Sequence, residues 1–514
     1  MSRSSWLLLL AAVVFGLLAW RFSFICDDSY IAFRYSKNLA EGHGACFNLG
    51  VSPPVEGYTQ FGWILWIGMV EFLGGDPTIW SRVTTIACGL LLLLWVGRCL
   101  RQRYGTHLLA TCAGLMVLAS HPGFGTWATS GLETMAFALL LFATWNRLLG
   151  PSGRPHALAA GLAGSASVLM RADGLYWVGC LLALTWLTGL RLKRPELRRA
   201  ALLAGTLVGL TVATHFLWRY STYGDWLPQT ARAKVGFSPA SFMRGVNYVV
   251  SWFLTFPSSL LVLALGALHV LRGRTPHLGG VLAFATLCCI YPVLVGGDFL
   301  PFGRFLVPLL PFLALIAGSL VQHHLDAPKA RPRLVTALLG LVIAAQLLPA
   351  FDMHLTPLSW REAFHFRFNS PTVITEWDKW WRVRHAGQTT ARLGRALAQH
   401  IPSESSLVTG SLGGIGYYSG LYLYDLEGYV NREVTNSPRD PDQPLASPGH
   451  DMSVNAKFFT PWKPTYRLAY LTHRKRLKPG SSEKLVFDLK TADGFEPGEI
   501  LVVVPFFAPY PRNP

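Results

Sequence analysis

Apolar runs of 15 to 25 residues recur eleven times along this 514-residue chain, at 6–24, 77–97, 106–120, 131–149, 156–170, 174–190, 199–217, 247–271, 279–296, 304–322 and 334–350. A helix rises ~1.5 Å per residue and the hydrocarbon core of a bilayer is ~30 Å thick, so such runs have the length of membrane crossings. With 51% hydrophobic and only 14% charged residues, the chain reads as an α-helical polytopic membrane protein with room for one further domain. The first run is expected to be a retained anchor, because Trp20-Arg21-Phe22 and Cys26-Asp27-Asp28 follow it where a cleavage site would need small residues.

Five basic clusters fall between the runs: Arg98/Arg101/Arg103, Arg147/Arg154, Arg191/Lys193/Arg194/Arg198/Arg199, Arg272/Arg274 and Lys329/Arg331/Arg333. Successive clusters are two runs apart, so one orientation places all five in the cytoplasm. The N-terminus is then cytoplasmic and the C-terminus extracytoplasmic. Residues 57–73 are also apolar, but counting them as a crossing would put every cluster outside. They carry Glu56, Gln60 and Glu71 at or near their ends and are expected to lie along the outer interface, like a shorter helix at 29–40. The net charge of +17 mostly reflects loop cations, which fits membrane lipid and not nucleic acid as a partner.

After Phe351 the apolar runs stop. Short strand-like stretches at 406–409, 466–471 and 500–504, with a helical pattern at 389–400, predict a small α/β domain over 352–514. The transmembrane domain is then 1–351, with a first outer loop at 25–76. Cys26 and Cys46 flank that loop and could pair in an oxidising compartment, whereas no Cys/His spacing predicts structural zinc.

With this topology the unusual polar residues collect at one face. Two adjacent carboxylates, Asp27 and Asp28, follow the first crossing, where an ionisable residue is usually functional. Glu56, His121, Glu133, Arg171, Asp173, Arg232, Lys234, Asp298 and Arg304 all lie in the outer loops. Each has a plainer reading. Arg171 and Asp173 can be an interfacial ion pair, His121 beside Pro122 a helix-end residue, and Glu133 a partner for a helix dipole. Asp298 and Arg304 sit on a glycine-rich turn, where the backbone can approach a ligand closely. Arg232 and Lys234 are surface charges or partners of an anionic headgroup.

The opening Asp27-Asp28-Ser-Tyr-Ile-Ala-Phe-Arg-Tyr-Ser-Lys-Asn-Leu-Ala-Glu-Gly-His-Gly, followed by Val55-Glu56-Gly57-Tyr58-Thr59, resembles bacterial GT-C glycosyltransferases. Within these it is most similar to arabinofuranosyltransferases that use polyprenyl-phospho-arabinose. The resemblance continues through Ser130-Gly131-Leu132-Glu133-Thr134, Tyr223-Gly224-Asp225, Gly297-Asp298, Gly303-Arg304-Phe305 and Gly414-Ile415-Gly416-Tyr417-Tyr418-Ser419-Gly420. It implies a GT-C-like bundle in the plasma (inner) membrane of a bacterium, whose extracytoplasmic pocket receives a sugar from a lipid-phosphate donor and passes it to a glycan, lipid or surface-protein acceptor.

Polyprenyl phosphate is a good leaving group, so one carboxylate suffices as general base, and Asp27 is expected to take that role. Asp28 would orient it, bind acceptor, or hold a divalent cation (Mg2+, Mn2+ or Ca2+). Arg304, Lys234 and Arg232 would hold the donor phosphate, while Glu56 and Asp298 would contact sugar hydroxyls. Two alternatives stay open at this point: another lipid-linked sugar such as mannose or aminoarabinose, and a polyprenyl-lipid transporter.

Overall fold

A computed structural model describes residues 3–104, 107–150, 154–233, 238–366, 372–437, 448–449, 451–477 and 484–507. The first part is helical: α1 (Arg3–Arg21), α2 (Asp27–Ala40), α3 (Phe61–Phe72), α4 (Pro77–Tyr104), α5 (Leu108–Ala119), α6 (Pro122–Trp127), α7 (Thr134–Leu149), α8 (Ala157–Met170), α9 (Gly174–Arg191) and α10 (Pro195–Tyr223). There follow α11 (Gln229–Ala233), α12 (Pro239–Thr255), α13 (Pro257–Leu271), α14 (Gly279–Val295), α15 (Leu310–Leu325) and α16 (Pro332–Leu347). Local chemistry sets many of the ends. Proline opens α10, α12, α13 and α16, where its missing N–H costs nothing. Gly224 and Gly296, both left-handed, close α10 and α14.

Among the described residues, five segments are long and apolar enough to cross a membrane alone: Pro77–Gln102, Pro195–Tyr223, Pro276–Val295, Arg304–Leu325 and Pro332–Phe351. The expected single crossing at 247–271 is instead two helices, α12 and α13, meeting at 98°. Pro257 is the cause. It cannot continue the hydrogen-bond ladder, and it drives Phe256 out of the helical region (φ −119°, ψ 67°). The apolar helices α1, α5, α7 and α8 are shorter than a full crossing. So is α3, whose 12 residues reach only about 18 Å, consistent with a segment that does not span.

The 3-10 turn Leu348–Phe351 follows α16. Beyond it come α17 (Leu358–Ala363), α18 (Glu376–His400), β1 (Ser406–Thr409), α19 (Gly413–Ser419), β2 (Tyr422–Asp425), α20 (Arg432–Thr435), β3 (Tyr466–His473), β4 (Leu485–Asp488) and β5 (Glu499–Pro505). The sheet order is β2-β1-β3-β5-β4, with β1 parallel to β2 and β3 and with β5 antiparallel to β3 and β4. The α/β expectation therefore holds.

This unit is clamped to the bundle through α2. Arg34 is buried and donates to the carbonyls of Phe47 (2.6 Å), Gly416 (2.5 Å) and Leu421 (2.9 Å). Asn48 exchanges two hydrogen bonds with the backbone of Leu423. Trp380 of α18 donates to the Phe22 carbonyl (3.0 Å) and packs edge-on against the Phe22 ring. Much of the opening motif is thus scaffold. Cys26 and Cys46 are both buried free thiols, so the disulfide that their placement allowed is not formed.

Candidate active site

The short helices leave a hollow at one end of the bundle. The turn before α7, the α8–α9 turn and the turn after α14 meet there. A cavity of about 320 Å³ lies there, lined by Asp28, by Gly57 to Gln60, by Leu132 and Glu133, by Arg171 to Asp173, and by Gly297 to Phe299 with Arg304 and Phe305. Tyr429, Pro448, Gly449 and Asp451 of the α/β unit complete the wall. Of the residues singled out in the sequence, Asp28, Glu133, Arg171, Asp173, Asp298 and Arg304 meet here.

Ser130 and Gly131 hold two of these loops together. The Ser130 carbonyl accepts from the Cys26 N–H (2.9 Å) and the Ser29 hydroxyl (2.7 Å), and the Gly131 carbonyl accepts from Trp63 (3.1 Å). Gly131 is left-handed (φ +84°), which turns the chain so that Glu133 enters α7 facing the cavity.

Arg171 grips Asp173 with two bonds, Nε to Oδ1 at 2.8 Å and Nη2 to Oδ2 at 2.7 Å. Its guanidinium lies between the rings of Phe137 and Phe305. Burial alone would raise the Asp173 pKa, but Arg171 overcomes that and holds it below the usual range. Glu133, also buried, goes the other way: burial raises its pKa against the pull of Arg171 and Arg304. Arg304 donates through Nε to Asp298 (2.8 Å) beside the rings of Trp127 and Phe305. The turn that carries this pair needs its glycines. A Cβ on Gly303 would come within 2.4 Å of the Trp252 ring, and Gly297 is left-handed (φ +85°).

The two aspartates part company. Asp28 lines the cavity, and Asp27 is not among the lining residues. Both Asp27 carboxylate oxygens are engaged by the α/β unit: Oδ1 accepts from the Gly414 N–H (2.9 Å) and the Thr390 hydroxyl, Oδ2 from the Gly413 N–H (3.2 Å). Burial raises its pKa, while these three donors work in the opposite direction.

Other candidates lie elsewhere. Glu56 is buried against Arg219 (2.6 and 3.2 Å) and is not in the lining. Arg232 is exposed on α11 and pairs with Asp225 (2.7 Å). His121 caps α6, its Nδ1 accepting from the Gly123 N–H (3.1 Å), and stacks on Trp252, which is the helix-end reading. Lys234 lies outside the described residues.

One pair went unread in the sequence. Arg244 in α12 donates to both oxygens of Asp451 (2.7 and 2.8 Å) and to the Gly296 carbonyl, fastening Asp451 to the cavity wall. A lone arginine just before an apolar run was the only available signal for it. Asp451 belongs to no motif.

Asp173, Asp298 and Asp451 each carry an arginine partner, and the described residues contain no group of three or more acids, histidines or cysteines that could hold a metal. No step below runs through one.

Residues 379–496 match the model of a domain of unknown function (DUF8728). The chain is 29% identical over 362 residues to a terminal beta-(1->2)-arabinofuranosyltransferase of Corynebacterium glutamicum, covering 60% of this chain and 50% of that protein. It is 27% identical over 353 residues to the protein of the same name from Mycobacterium tuberculosis, covering 60% and 55%. The chain thus spans about half the length of the curated relatives it matches. In fold it matches ArnT from Cupriavidus metallidurans, bound to undecaprenyl phosphate (TM-score 0.52, 13% identity, 98% of each chain) and in the apo state (0.52, 14%, 97% of each). The chain therefore has the fold of ArnT and a sequence similar to those of terminal arabinofuranosyltransferases.

Proposed function

We propose that the chain transfers a sugar, arabinofuranose by its resemblance in sequence, from a polyprenyl-phosphate-linked donor to an extracytoplasmic acceptor hydroxyl of a glycan, lipid or protein. The observation that carries this is the cavity. Five carboxylates and three guanidiniums converge on it beneath a wall from the α/β unit, a lining suited to a polyol. Three cations against five acids disfavour seating a phosphate deep inside. The sugar occupies the cavity, and the phosphate meets Arg304, with Arg232 nearer the headgroups.

Asp28, not Asp27, is the proposed base, because it faces the cavity and Asp27 is held by three donors. The acceptor oxygen attacks the anomeric carbon as its proton passes to Asp28. The bond from that carbon to the phosphate oxygen breaks, and its electron pair leaves with polyprenyl phosphate, whose charge Arg304 stabilises. No acid is needed at the leaving group, unlike in glycoside hydrolysis. A transporter reading has less support, since the charged groups sit at one end of the bundle and not midway. Purified protein in nanodiscs, given polyprenyl-phospho-arabinofuranose and membrane-extracted acceptor, should release polyprenyl phosphate. Movement of intact donor across the bilayer without release would defeat the reading.

A further inference from the structure

Three apolar helices have ends at one level, and hydrogen bonds fix it. Arg21, the last residue of α1, donates to the Ala350 carbonyl just beyond α16 (3.2 and 3.1 Å). Thr356 donates to the Leu254 carbonyl just before α13 begins (2.9 Å). α13 packs on α15 and α16, whose segments are long and apolar enough to cross a membrane. α12 meets α13 at 98° and so lies across the bundle. The chain after α16 follows α12. Thr356 is held at Leu254 and His365 at Asn247 (3.1 Å), two points about 10 Å apart along that helix.

The outward face of this pair is apolar. Phe351, Met353, Leu355, Leu358, Trp360 and Phe364 are each between 42% and 59% exposed, and Phe242 and Met243 of α12 are exposed as well. The buried side of α12 carries Ser241, Arg244, Ser251 and Thr255. A helix whose partner is water shows the reverse, polar residues outward and apolar ones inward. An exposed apolar patch of this kind marks an interaction surface. Its partner follows from continuity. Leu338 and Leu341 are exposed on α16, where lipid covers a crossing helix, and residues 351–364 lead directly from the end of that helix. Trp360 and Arg361 are adjacent there, a tryptophan and a cation of the kind that settle at headgroup level.

We propose that α12 and residues 351–364 form a shelf lying in the headgroup region on the cavity's side of the membrane, with lipid as its partner. The shelf's apolar face enters the edge of the acyl layer. Its inner face carries Arg244, which lines the cavity and holds Asp451. The lipid surface thereby keeps the cavity at the height of a headgroup phosphate, which goes beyond the reaction assigned to it.

The test uses full-length protein in nanodiscs of phosphatidylglycerol and phosphatidylcholine, with the photocrosslinker p-benzoylphenylalanine placed at Met243, Trp360 or Gln399. Gln399 is the control, exposed at the far end of α18, which begins near Phe351, where Arg21 lies over the rings of Phe351 and Trp377. Light should attach phospholipid at Met243 and Trp360 at least about 10-fold more than at Gln399. Equal lipid yields at all three, or attachment of Trp360 to a second copy of the chain in place of lipid, overturn the inference. Leu358→Asp combined with Trp360→Asp should lower release from a long-chain polyprenyl donor in nanodiscs by at least about fivefold, since carboxylates leave the acyl edge. Release from a short-chain, water-soluble donor in detergent should stay within about twofold, because no leaflet sets its height. An equal effect on both donors, none included, overturns the inference too. A wild type that releases polyprenyl phosphate from neither donor defeats the transferase reading instead, and the crosslinks still decide this one.

Discussion

The carboxylate of Asp27 accepts the backbone N–H groups of Gly413 and Gly414, 386 and 387 residues away, and so pins α19 to the first turn of α2. A Cβ on Gly413 would lie 1.9 Å from the Asp27 carbonyl oxygen, so the contact exists only because this residue is glycine. An acid that looks catalytic in the sequence is the bolt between the helical bundle and the α/β unit, and its neighbour faces the cavity.

The two aspartates should therefore fail differently. Asp28→Asn should lower transfer by ~10²–10⁴-fold, the range for loss of a general base, and leave the melting temperature near wild type. Asp27→Asn should instead lower stability by ~1–3 kcal/mol, since it sets an amide against N–H donors. Chelator should leave wild-type activity unchanged. Full activity in Asp28→Asn would end its candidacy.

Gly413→Ala should detach the α/β unit. The new methyl meets backbone and cannot be accommodated by a rotamer change, so a loss above ~2 kcal/mol is expected. Limited proteolysis between α17 and α18 should accelerate. Gly410→Ala is the control, with its nearest neighbour 3.9 Å away, and should behave as wild type.

Arg304→Ala should cost transfer about 1.5–3 kcal/mol, the scale of a hydrogen bond to a charged group. Arg304→Lys should recover only part, because an ammonium cannot hold Asp298 and a phosphate with a planar fork. Kinetics with the lipid-linked donor decide this, and an unaltered kcat/KM in Arg304→Ala would take the residue out of the site.

His121 gives an acid-stability signature. Burial holds its pKa down at about 3, against ~6.5 in an unfolded chain. The unfolded state then binds the proton first as pH falls, so the stabilisation is complete above ~6.5. It is lost between there and about 3, by at most ~1.4 kcal/mol per pH unit. His121→Asn keeps an acceptor for the Gly123 N–H but does not titrate. Its melting temperature should fall less than that of wild type between pH 7 and pH 4. Parallel curves would mean that His121 is not held neutral.

Orientation can be checked with reporters. A fusion at Pro195 should read cytoplasmic and one at Ser403, between α18 and β1, extracytoplasmic. The reverse pair would place the cavity on the side where the basic clusters lie.

What the sequence determined by itself was everything governed by local chemistry. Long apolar runs had to become helices, because lipid offers no partner for an unbonded backbone. Glycine and proline marked helix ends, and the strand-like stretches at 406–409, 466–471 and 500–504 became β1, β3 and β5. Even the bend at Pro257 was written in one residue, overridden by the apolar run around it. The loop residues that meet at the cavity were legible too, since charge at the ends of apolar runs is rare and its side could be counted.

Partner choice among those residues was not legible. Successive positions on a helix point about 100° apart, so Asp27 and Asp28 had to face different surroundings. Which one met the cavity depended on where α19 docked. Glu56 finds Arg219 across 163 residues and Arg244 finds Asp451 across 207. An arginine in a sequence does not announce whether its charge is already answered. Tertiary structure alone answered Asp173, Asp298 and Asp451 with guanidiniums.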